Sequence, residues 1–177
     1  IAVGDPLPPP LPVYFLLSNG DGTFRDGTNE IVVGELPQTV GIPIPVFADF
    51  NNDGHLDVAI FDQGIPAGSL RVAGPPILLL SGPDGKLHRS TALADAAEAI
   101  NKNFPQNGEY GGRNLHVYKA AVGDINNDGN VDIWVESCGG RNVCNHFMMN
   151  NGDGTFTADD GRISYEALHG PPGPGFI

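Results

Sequence analysis

Apolar residues along this chain come in short runs, separated by clusters of Gly, Asn, Asp and Pro. Several runs alternate with period two, as Leu56, Val58 and Ile60 do, and again Val131, Ile133 and Val135. Such alternation places side chains on opposite faces of an extended chain and predicts strands. An apolar run, a turn rich in Asn, Gly and Asp, and a further apolar residue predict a β-hairpin. That pattern occurs three times. It reads Phe15-Leu16-Leu17-Ser18-Asn19-Gly20-Asp21-Gly22-Thr23-Phe24, then Leu78-Leu79-Leu80-Ser81-Gly82-Pro83-Asp84-Gly85-Lys86-Leu87, then Phe147-Met148-Met149-Asn150-Asn151-Gly152-Asp153-Gly154-Thr155-Phe156. One stretch differs. Residues 90–100 are alanine-rich, with Ser90 or Thr91 placed to cap a helix whose apolar stripe is Leu93, Ala96, Ala97 and Ile100.

A second element recurs out of step with the hairpins. Asp49-Phe50-Asn51-Asn52-Asp53-Gly54-His55-Leu56-Asp57-Val58 aligns without gaps on Asp124-Ile125-Asn126-Asn127-Asp128-Gly129-Asn130-Val131-Asp132-Ile133. The order is hairpin, Asp loop, hairpin, Asp loop, hairpin. One module is thus an Asp loop between two strands, followed by a hairpin. The expected fold class is all-β, with antiparallel four-stranded blades in a partial β-propeller-like array and one short inserted helix. The expected organisation is a single repeat domain over 1–177. It comprises a Pro-rich extended linker (1–12), the hairpin of a partial blade (13–30), a first module (44–90), a helical insertion and loop (91–113), a second module (115–160) and a Gly/Pro-rich tail (168–177). The insertion is expected to cap a sheet edge or carry a binding surface.

Composition narrows the function. Gly (25) and Pro (16) make up nearly a quarter of 177 residues, yet 40% of residues are hydrophobic, which fits short strands and turns rather than disorder. A formal charge of -12 with nine Lys and Arg argues against nucleic acid as a partner, since phosphate binding needs a basic surface. No apolar run approaches the roughly 18 residues of a transmembrane helix. No signal peptide is visible at Ile1, so a processed chain or a piece of a longer one is expected. Gly-x-Ser-x-Gly, His-Glu-x-x-His and phosphate-loop patterns are absent, and His88, His116, His146 and His169 sit in no recognisable constellation; a non-enzymatic role is expected.

The Asp loops carry the candidate chemistry. Calcium takes six to eight hard oxygen ligands, which carboxylates at alternate positions around a tight turn supply. Asp49, Asn51 and Asp53 hold positions one, three and five, Gly54 permits the turn, His55 offers its backbone carbonyl at seven, and Asp57 stands at nine. Asp124, Asn126, Asp128, Gly129, Asn130 and Asp132 repeat the set. Two Ca²⁺ sites are therefore expected. An EF-hand requires Glu at position twelve between helices, whereas these loops have Ile60 and Val135 there, within strands. The plain alternative is a pair of ordinary Asp/Asn/Gly turns.

The Asp-x-Asn-x-Asp-Gly-x-x-Asp loops, together with the Asn-Gly-Asp-Gly-Thr-Phe hairpins, resemble FG-GAP/VCBS-type repeats, the blades of integrin-α-like propellers. The resemblance covers residues 13–156, the helical stretch excepted. It implies an extracellular or cell-surface location, calcium between the first two strands of a blade, and adhesive or structural roles, with some members acting as lectins. A closed propeller needs at least four blades, and about two and a half are present here. Part of a longer chain, or a homo-oligomer joined head to tail into a ring or fibre, is therefore expected. The expected partners are other copies, an extracellular protein or a glycan. A lectin would stack sugars on Trp134, Tyr110 or Tyr118. Cys138 and Cys144 flank an apparent turn. They form a disulfide in an oxidising compartment, remain free thiols, or join His146 at zinc.

Overall fold

The structure, a computed structural model, describes residues 9–67, 70–102, 115–137 and 145–159. The chain enters along β1 (Leu11–Pro12), forms the hairpin β2 (Leu16–Ser18) and β3 (Phe24–Asp26), and passes one helical turn, α1 (Thr28–Ile31). It returns as β4 (Gln38–Thr39), antiparallel to β1. The end of the expected linker is thus a strand. Proline is tolerated there because a two-residue edge pairing asks little of its missing N–H, and the next amide, Val13 N–H, donates to Pro37 O at 2.8 Å.

The first four-stranded sheet follows. β5 (Pro43–Ala48) and β6 (Asp57–Asp62) flank the first Asp loop. A small hairpin, β7 (Ile65–Ala67) and β8 (Leu70–Val72), interrupts the module before β9 (Ile77–Ser81) and β10 (Leu87–Ser90) complete it in the order β10-β9-β6-β5. That interruption was not foreseen, because Ile65, Pro66 and Ala67 show no period-two alternation. Every residue of β6 is buried. The Leu56/Val58/Ile60 alternation marks only one of its faces. Ala59 and Phe61 line the other, and Leu56 lies outside the strand, exposed.

Helix α2 (Ala92–Lys102) comes next, its first amide held by Ser90 Oγ at 3.3 Å. Its stripe of Leu93, Ala96, Ala97 and Ile100 is fully buried. The stripe faces inward rather than outward. It packs on β9 and on the second sheet, as part of the main core. The second sheet runs in sequence order: β11 (Lys119–Gly123), β12 (Asp132–Glu136), β13 (Asn145–Asn150) and β14 (Phe156–Asp159). The all-β expectation holds. Phe50 of the first Asp loop meets Phe156 edge to face at 5.7 Å, closing the core between the sheets. A second core on the far face of the first sheet joins Val58, Ile60, Ile77, Leu79 and Leu87 to Val13, Phe15 and Leu36.

One buried carboxylate organises the first sheet's end. Asp62 accepts from four backbone amides: Val40 (2.7 Å) and Gly74 (2.8 Å) at Oδ2, Gly41 (2.8 Å) and Gly64 (2.7 Å) at Oδ1. It ties the approach to β5, the turn after β6 and the approach to β9 to one point. The segments meet so closely that a Cβ on Gly41 would lie 2.5 Å from Gly64 O. Replacing Asp62 by Asn puts an NH₂ against N–H donors, and a loss of about 3 kcal/mol is expected. Urea unfolding should show a lowered midpoint at unchanged slope; a wild-type midpoint would show that the four amides have other acceptors.

Candidate metal loops

Both Asp loops leave the first strand of their sheet and return as the next one, and both fold by the same hydrogen bonds. In the first, Asp49 accepts from Asp53 N (3.1 Å) and Gly54 N (2.8 Å), Asn51 Oδ1 from Asp53 N (3.2 Å), and Asp53 Oδ1 from His55 N (2.8 Å). In the second, Asp124 accepts from Asp128 N (3.0 Å) and Gly129 N (2.9 Å), Asn126 Oδ1 from Asp128 N (3.0 Å), and Asp128 Oδ1 from Asn130 N (2.8 Å). Asn51 and Asn126 each donate back to the position-five carboxylate, at 2.9 and 2.7 Å. Position four is left-handed, with φ 58° at Asn52 and 61° at Asn127. Asn is among the few side-chain-bearing residues that visit this region routinely.

The aspartates at position nine are built differently. Asp57 and Asp132 are fully buried. Each spans two backbone amides. Asp57 holds Phe50 N (2.8 Å) and Ser81 N (2.7 Å), and Asp132 holds Ile125 N (2.9 Å) and Asn150 N (2.8 Å). They lock the loop entrance to the end of the third strand. Burial pushes the Asp57 carboxyl up; its two amides oppose this, and the charges of Asp53 and Asp49 add to it. The two position-five carboxylates shift the other way. Asp53 is lowered by Asn51 and by the His55 amide, and Asp128 by the Asn130 amide, then by Asn126.

The donors fit calcium in kind: carboxylate, amide and carbonyl oxygens, with no sulfur or imidazole nitrogen called for. The upward push on Asp57 from Asp49 and Asp53 is a repulsion that a cation relieves. Among the described residues, no three His, Cys, Asp or Glu side chains are gathered into a ready metal cluster. The loop carboxylates are engaged by backbone N–H groups, each oxygen keeping further lone-pair capacity.

Sequence reasoning passed over Asn52, Ser81 and Asn150. The signal was available for the last two, since Ser18, Ser81 and Asn150 fall at one hairpin position. Among the described residues, the others singled out gather into no site. Trp134 is half-buried, in register with Ala121 and Phe147. Tyr118 rings with His116 at 5.4 Å, His88 pairs with Asp84 at 3.0 Å, and His146 is buried in β13. Tyr110, His169, and the Cys138 and Cys144 pairing lie outside the described residues.

Residues 4–60 match the family described as FG-GAP-like repeat. The match takes in the N-terminal hairpin, β5, the first Asp loop and most of β6. The chain therefore carries an FG-GAP-type repeat. Comparison with curated proteins and with solved structures gave no match.

The two classes of aspartate are separable by mutation. In chelator, Asp57→Asn and Asp132→Asn should each lose about 2–3 kcal/mol, because one buried amide meets an NH₂. Asp53→Asn and Asp128→Asn should stay within about 0.5 kcal/mol, as exposed positions do. Chemical denaturation checks this, and equal costs at all four positions would contradict the division.

Proposed function

We propose that this chain, with its FG-GAP-type repeat, is a calcium-binding structural or adhesive module of an extracellular protein, without catalytic activity. The observation that carries the reading is the congruence of the two loops, which repeat the same hydrogen bonds around the same hard-oxygen set. Ordinary turns need only one or two such contacts. In these loops, Asp residues at one, five and nine and Asn at three would supply ligands, joined by the carbonyls of His55 and Asn130. Calcium there would hold the first two strands of each sheet together and remove the repulsion among their carboxylates. Two ions would bring the formal charge from -12 to -8.

The extracellular assignment rests on the repeat type. No helix among the described residues is long and apolar enough to cross a membrane. Apolar side chains stand exposed in two places along the chain: Leu16, Phe47 and Leu56 line one groove, and Val122 and Ile125 stand exposed in the second module. They support a head-to-tail contact between copies as the adhesive function. The half-buried setting of Trp134 favours packing over sugar stacking.

Calorimetric titration with calcium chloride should give two ions per chain. Asp53→Ala and Asp128→Ala should each remove one. At a calcium level about a hundredfold above the dissociation constant, each site adds about 2.7 kcal/mol, so EDTA should lower the melting temperature by about 5–10 °C per site. Light scattering should show particle size falling with it. No binding heat and an unchanged melt would reduce the loops to plain turns.

A further inference from the structure

The two loops are not independent. Asn150, at the end of β13, is buried. Its backbone amide serves Asp132 of the second loop, and its side-chain amide donates both to Val131 O of that loop (3.1 Å) and to Phe50 O of the first (2.9 Å). Its Oδ1 is held by Gly152 N at 2.9 Å, so the side chain has one orientation. The same Phe50 carbonyl takes Gly154 N at 3.1 Å. A second, exposed connection lies beside it. Asn52 Nδ2 donates to Asn130 Oδ1 (2.8 Å) and Gly152 O (3.2 Å). The backbone amide of Asn130 in turn donates to Asp128 Oδ1 at 2.8 Å. Position four of one loop thus reaches a carboxylate of the other through one intermediary.

We propose that the two loops bind calcium cooperatively, with Asn150 and Asn52 as the positioning residues that couple them. The inference rests on the calcium reading above. Ordering one loop around an ion fixes the Phe50 carbonyl and the Asn52 side chain, which pre-orients the other loop, so the second ion meets a smaller ordering cost. The sister repeat supplies the control. Ser81 occupies the position of Asn150 and makes only the contact within its own module, Oγ to Leu56 O at 2.6 Å. Asn150→Ser therefore keeps a hairpin residue that this fold already accepts and deletes the reach across the sheets. Asn52→Gly deletes the surface link at a left-handed position that glycine accepts without strain.

The test titrates calcium chloride into the full chain by calorimetry, with one loop disabled at a time. Disabling the second loop by Asp124→Ala should weaken the first about tenfold, and Asp49→Ala should weaken the second by the same factor, since coupling is reciprocal. In Asn150→Ser or Asn52→Gly backgrounds the factor should fall to about two or less. First-loop affinity indifferent to Asp124→Ala overturns the coupling, as does the wild-type factor persisting in both variants. Loss of the factor in one variant alone assigns the coupling to that residue. Should Asn150→Ser fail to fold by circular dichroism, Asn52→Gly decides. Absence of any calcium binding has a separate signature, no heat in the wild type, and sinks the calcium reading as well.

Discussion

Turns that re-enter a sheet at right angles to the ladder leave backbone N–H groups without strand partners, and each must find an acceptor. In this protein the acceptors are carboxylates. Asp57 and Asp132 each take one amide from their own loop and one from the neighbouring strand, while Asp62 takes four from three segments. These buried anions set the spacing between strands at the ends of both sheets. The rest of the structure is built on that spacing. Phe50 reaches Phe156 only because its own amide is pinned by Asp57, and the core between the sheets closes through that contact.

The same economy explains why the loops serve two ends. An aspartate that already folds the turn through backbone amides keeps lone pairs for a cation. The position-nine residue belongs first to the fold, being buried with both oxygens bonded. The residues at one, three and five belong first to the loop, at or near the surface. An acidic chain with two such loops stores repulsion that its fold tolerates through N–H donors and that an ion would discharge.

Strand positions, hairpin order and the helix stripe were legible because they follow from period and turn chemistry. Leu93, Ala96, Ala97 and Ile100 were read as one face, and that face is buried. The place of the helix was not legible, since an apolar stripe says that something covers it without naming the neighbour. The β7–β8 hairpin escaped because a stretch broken by Gly64, Pro66 and Gly68 carries no alternation. Asp62 escaped because nothing in a lone Asp after an apolar strand distinguishes a buried acceptor from a solvated one. In the loops, residue types and spacing were readable, but the division between buried and exposed aspartates depends on partners, Ser81 and Asn150, that lie 24 and 18 residues away.

The repeats also differ where their neighbours differ, and the differences are instructive. Gly154 of the second module's hairpin lies against Leu80 and Asn51 of the first module, whereas Gly85, its counterpart in the first module's hairpin, has open space around it. Phe156 is buried against Phe50, and its counterpart Leu87 lines an apolar groove with Phe47 and Leu56. Asn150 reaches into the preceding module's loop, and Ser81, with no such loop beside it among the described residues, stops at Leu56 O of its own module. Each change at a matched position follows from whether a strand–loop–strand unit stands on the N-terminal side. Side-chain size and reach at the Phe156/Leu87 and Asn150/Ser81 positions therefore record the presence of a neighbour.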